Sequence, residues 1–102
     1  MMYKNKSWKK FWFTLRSGFI NCYPPRYRGL SKKASFKLAL YDCQISEFES
    51  EKYDYSAFVI KTQTDEEIIL KANNYEEMLF WLNAVLKEKF LIEETINAIM
   101  LI

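Results

Sequence analysis

The chain has 102 residues, half of them apolar and 18% aromatic, with a formal net charge of +2. That length fits one domain with a single core, and no apolar run reaches the ~18–20 residues that a helical membrane span needs. The lysine-rich start lacks the apolar region of a secretory signal. The charge is unevenly spread: residues 1–41 hold ten Lys/Arg and no acid, and residues 42–102 hold five basic and all thirteen acidic residues. A molecule polarised in this way orients toward anionic surfaces.

Met1 to Lys4 forms a short first strand. Ser7 to Tyr23 reads as two strands around a Ser17-Gly18 turn, because its aromatic and β-branched residues suit a pleated surface and glycine accepts positive φ. On the first of these strands Trp8, Lys10, Trp12 and Thr14 alternate with Lys9, Phe11, Phe13 and Leu15. Trp8 and Trp12 are expected to pack within or against the barrel. Pro24-Pro25 ends the second strand, and Arg26 to Lys33 is a basic loop. Phe36, Leu38 and Leu40 alternate with Lys37 and Ala39 as a further strand. Tyr41-Asp42 makes a kink before Cys43 to Phe48, and Glu49 to Tyr55 is an acidic loop. Ala57 to Thr62 and Glu67 to Ala72 are two more strands, joined by Gln63 to Glu66.

At Asn73-Asn74 the period changes. Asn74 is a good N-cap, and Glu76 and Glu77 complement the dipole of a helix running from about 74 to 89. Met78, Trp81, Leu82 and Val85 recur at helical spacing, with Leu79 and Leu86 beside them, and Trp81 is expected to anchor the helix to the sheets. From 90 to 102 an apolar helical tail follows, in which Phe90, Ile92, Ile96 and Ile99 either extend the stripe or form a second helix. Strands first and helix last imply a mainly β fold, a bent antiparallel sheet or barrel plugged by the helix.

In this order and spacing the segments Tyr3-Lys4, Ser7 to Leu15, Ile20 to Tyr23, Leu40 to Ile45, Phe58 to Thr62 and Ile69 to Ala72, with Trp81 in the helix, resemble a pleckstrin homology domain over nearly the whole chain, 1–102. The resemblance implies two near-orthogonal antiparallel sheets of about seven strands, the first shortened, and a C-terminal α-helix. It also implies phosphoinositide headgroups as ligands, held between loops at the open end of the barrel. The family's basic motif places Lys4 and Lys9 at two of its positions. Phe11 stands where an arginine is expected, and Cys22 where a tyrosine often assists. The glycine that usually opens the first strand is missing.

The function expected is a non-catalytic membrane-targeting or adaptor module, cytoplasmic and peripheral at membranes, that binds anionic lipids. Lys4, Lys6, Lys9, Arg26, Arg28, Lys32 and Lys33 would contact headgroups, and Tyr27 would sit at the membrane interface. Each basic group near an anionic leaflet contributes about 1 kcal/mol, so three to five give roughly 3–5 kcal/mol against the ~8 kcal/mol of a micromolar complex. Weak, salt-sensitive binding follows. The alternative is a protein-interaction module of the same fold, using its edge strand, its acidic side or its apolar tail. No catalytic residues, metal ligands or cofactor are expected, because histidine is absent and no nucleophile with a base or phosphate-cradling glycine loop is evident. No nucleic-acid partner is expected, and the oligomeric state stays open. Cys22 and Cys43 read as small, buried, reduced residues.

Overall fold

The computed structural model describes residues 2–4, 7–9, 12–23 and 36–100. Among these residues, eight strands precede one long helix: β1 (Met2–Lys4), β2 (Ser7–Lys9), β3 (Trp12–Arg16), β4 (Phe19–Tyr23), β5 (Phe36–Ala39), β6 (Gln44–Phe48), β7 (Ala57–Lys61), β8 (Glu67–Lys71) and α1 (Tyr75–Met100). They form a five-stranded sheet in the order β2-β1-β8-β7-β6 and a three-stranded sheet in the order β3-β4-β5, and every pairing is antiparallel. The sequence suggests one strand from Ser7 to Leu15. The structure divides it: β2 (Ser7–Lys9) belongs to the first sheet and β3 (Trp12–Arg16) to the second. A strand that changes sheets is how two packed sheets are joined without a long loop. Among the described residues, the count of about seven becomes eight through this division.

The β3–β4 hairpin closes through two residues in the left-handed region, Ser17 at φ 52° and Gly18 at φ 81°, with Arg16 paired to Phe19. Two successive positive φ values give the two-residue turn whose twist matches that of its strands. Alternation then buries Ile20 and Cys22 from β4, Leu38 from β5, Phe58 and Ile60 from β7, and Ile68 and Leu70 from β8. Each large apolar side chain withdrawn in this way contributes about 1.5–3 kcal/mol. Phe13 and Leu15 face inward and pack against this cluster from the margin. No buried side-chain nitrogen or oxygen lacks a hydrogen-bond partner among the described residues.

The helix is capped as its sequence implies: Asn74 Oδ1 accepts from the Glu77 backbone N–H at 2.7 Å, satisfying one of the free donors of the first turn. Met78, Leu82 and Val85 enter the core, with Leu79 and Trp81 packed against its edge. The anchor is thus Met78, which is fully buried, flanked by Val85, while Trp81 is only partly covered. Leu86 lies 40% exposed, outside the buried stripe.

Of the two readings of segment 90–102, the structure shows a single helix that continues unbroken to Met100. Its later turns serve as a strap. Glu88 Oε1 accepts from the Gly18 backbone N–H at 3.0 Å, and Glu93 Oε2 accepts from the Asp42 backbone N–H at 2.9 Å. Lys89 Nζ holds Glu93 at 2.7 Å. Ile92 lies on the turn at Gly18. Phe90 and Ile99 do not extend the buried stripe, being 61% and 64% exposed.

Candidate functional site

Pairing register fixes what the backbone brings to the lysines of the sequence motif. Lys4 ends β1 and Lys9 ends β2, in a ladder that pairs Met2 with Lys9, Tyr3 with Trp8 and Lys4 with Ser7. Paired positions and alternate positions share a face, so Lys4 and Lys9 fall on one face of this ladder by register. They stand at its opposite ends, two residue steps apart, or roughly 7 Å along the strand. Lys6, Arg26, Tyr27, Arg28, Lys32 and Lys33 lie outside the described residues, as does Phe11. The packing expected of the Trp8 and Trp12 side chains also lies outside what is described.

Two neighbourhoods follow from the register. At the Lys9 end, Trp12 opens β3 opposite Tyr23, and Cys22 is paired with Phe36. Tyr23, which precedes the basic loop of the sequence, therefore lies opposite the first residue of β3, and Phe36, which follows it, lies across β4 from β3. At the Lys4 end, β1 runs antiparallel to β8, with Tyr3 opposite Ile69. This sets the Lys4 end of β1 at the same end of the sheet as the turn between β7 and β8. That turn is acidic, carrying Asp65 and Glu66 before Glu67.

The acidic turn is locally built. Thr62 Oγ1 accepts from the Glu66 backbone N–H at 3.2 Å, and Asp65 takes a positive φ of 62°. Asp65 pairs with Lys61 at 3.6 Å in an exposed contact, a type worth little in water. Negative potential thus stands next to one end of the basic ladder. The sequence sets Gln63 to Glu66 between two strands, but strand order is needed to bring that turn beside the Lys4 end of β1.

On β4, Cys22 is 1% exposed and outside any disulfide, so this position supplies no polar group to a ligand at the surface. A cavity of about 330 Å³ opens elsewhere, between β3, β8 and the first half of α1, with Phe13, Leu15, Leu70 and Trp81 in its wall beside Lys71, Asn73 and Glu77. Its lining is mainly apolar, suited to side chains or apolar groups more than to phosphates. No group of three or more His, Cys, Asp or Glu side chains is placed to hold a metal ion among the described residues. No helix among them is long and apolar enough to cross a membrane.

The PH domain family model matches residues 2–90. Among solved structures, the Slm1 PH domain in complex with phosphoserine aligns with a TM-score of 0.74 at 21% identity, covering 86% of this chain and 88% of that one. The Slm1 PH domain with inositol-4-phosphate aligns at 0.71 and 20% identity, covering 86% and 89%. The C-terminal PH domain of pleckstrin in complex with D-myo-Ins(1,2,3,5,6)P5 aligns at 0.69 and 25% identity, covering 85% and 84%. A search of curated protein sequences finds no match.

Proposed function

Because this chain belongs to the PH domain family, we propose that it is a non-catalytic membrane-targeting module that binds anionic lipid headgroups, phosphoinositides above all, and that it works in the cytoplasm at a membrane surface. The observation that carries the reading is the β1–β2 ladder, whose register sets Lys4 and Lys9 on a common face within the matched family region. Inositol phosphates bound to the related Slm1 and pleckstrin domains support the same ligand chemistry. Lys6, Arg26, Arg28, Lys32 and Lys33 complete the proposed basic surface, with Tyr27 at the membrane interface. Ammonium and guanidinium groups donate charge-assisted hydrogen bonds to phosphate, and an anionic leaflet raises the local benefit of each.

The proposed binding is weak and salt-sensitive. Phe11 replaces an arginine of the family motif, and the buried Cys22 contributes nothing at the surface. The acidic turn beside Lys4 offsets part of the basic charge. Stable residence at a membrane then calls for a second point of attachment, which multiplies two modest affinities.

Liposome co-sedimentation of the whole chain tests this, using neutral, phosphatidylserine-containing and phosphoinositide-containing vesicles at two salt concentrations. Greater recovery with the phosphoinositide vesicles than with phosphatidylserine vesicles of equal charge, reduced by salt, is expected. Equal recovery on neutral and phosphoinositide vesicles at low salt would overturn the proposal.

A further inference from the structure

The residues through which α1 meets the barrel, Met78, Leu82, Val85 and Ile92, lie along one side of the helix. At 3.6 residues per turn the opposite side carries Phe80, Lys87, Phe90, Leu91 and Glu94. Phe80 is 69% exposed, Phe90 61% and Leu91 49%. Lys87 and Glu94 are also exposed, and neither has an ion-pair partner among the described residues. Three or four positions from them stand only Asn83, Ala84, Phe90, Leu91, Asn97 and Ala98, so the helix offers neither charge a local partner. The same helix does pair its charges elsewhere, in Lys89 and Glu93 at 2.7 Å.

Lys87 and Glu94 thus bracket two bulky apolar residues and point the same way. Seven residues are close to two helical turns, so the two charges lie nearly in line, about 10.5 Å apart. A second copy of the helix laid antiparallel, with its two-fold axis between positions 90 and 91, sets Lys87 against Glu94 of the second copy and Glu94 against Lys87 of the second copy. Phe90 then meets Leu91 in both directions, with Ala84 and Ala98 small enough to let the helices approach. A parallel pair would instead bring lysine to lysine and glutamate to glutamate.

We propose that this face of α1 is a self-association surface, on which two copies of the chain pair antiparallel through Phe90 and Leu91 between two symmetric Lys87–Glu94 bridges. The arrangement is self-complementary, as a two-fold contact requires. A contact confined to one helix face is at the small end of specific interfaces, so the association is reversible and depends on concentration.

Sedimentation equilibrium of the whole chain over a wide concentration range tests the pairing. The mass of the parent should rise from monomer toward dimer. Lys87→Glu and Glu94→Lys each create two like-charge contacts and should weaken association at least about tenfold. The doubly exchanged chain, Lys87→Glu with Glu94→Lys, should regain the parent's association because the bridges re-form with reversed polarity. Both positions are exposed, so thermal melting of all three variants should match the parent and report an intact fold. A parent that stays monomeric at every concentration, single variants that associate like the parent, or a double variant no better than the singles would each overturn the proposal.

Discussion

Ile92 fills the space directly above Gly18: a Cβ built on the glycine would lie 2.7 Å from Ile92 Cγ1 and 2.8 Å from Ile92 Cβ. The turn that closes the β3–β4 hairpin is therefore also the seat of the helix. Its amide donates to Glu88 at 3.0 Å, one helical turn before Ile92.

Gly18→Ala meets two penalties together, a side chain at φ 81° and a contact that only movement of α1 can relieve. A destabilisation of about 2–3 kcal/mol is expected, measured as a lowered urea midpoint. Adding Ile92→Ala should restore little, because the 2.8 Å contact is with Cβ. An unchanged midpoint in Gly18→Ala would show that the helix does not rest on the turn.

The second strap contact gives a pH dependence. Hydrogen bonding from Lys89, and after it the bond from the Asp42 backbone N–H, hold the Glu93 carboxyl below the ordinary glutamate range. A depressed folded value means that the folded chain keeps the carboxylate where the unfolded chain takes up a proton. The stabilisation is complete above the unfolded value of about 4.3 and disappears as pH falls through the lower folded value. Glu93→Gln should lower the denaturation midpoint at pH 7 and have a smaller effect at pH 3. Equal effects at both would show that the carboxylate's charge plays no part.

Core anchoring separates Met78 from Trp81. Met78→Ala empties a fully buried site and should cost about 2–5 kcal/mol. Trp81 is partly covered and borders the 330 Å³ cavity, so Trp81→Ala should cost less than Met78→Ala in the same denaturation series. The reverse order would restore the tryptophan as the chief anchor.

The acidic turn gives the lipid proposal an internal control. Glu67→Gln removes one negative charge from the sheet edge shared with Lys4's end of β1, and should strengthen binding to anionic vesicles by about 1 kcal/mol, or roughly fivefold. Glu51→Gln lies in the connection between β6 and β7, at the opposite edge of the sheet, and should do much less. Equal effects from the two would mean that net charge alone governs the attraction.

Local chemistry made most of the architecture legible. Alternation located β5, β7 and β8 to within a residue, the Ser17-Gly18 turn fell where glycine allows it, and Asn74 marked the helix start. The assignment of β2 and β3 to different sheets was not legible, because an unbroken run of strand-forming residues carries no sign of which sheet each half will join. The helix periodicity identified Met78, Leu82 and Val85 but overstated Leu86, Phe90 and Ile99, since apolar character tells which residues favour burial and not where the barrel ends. Lys4 and Lys9 were named from a motif, and strand register then showed that they share a face. That the acidic turn neighbours the Lys4 end depends on the β1–β8 pairing, a contact distant in sequence that no local pattern announces.

The two thiols, both buried and outside any disulfide, give the molecule a pair of built-in reporters. Cys22 belongs to the central strand of the three-stranded sheet, whereas Cys43 sits just past Asp42, where the strap is fastened. A thiol reagent would reach Cys43 once the end of the helix lifts, and Cys22 only when the sheet itself comes apart. Labelling kinetics followed at each sulfur would thus distinguish loosening of the lid from rupture of the vessel.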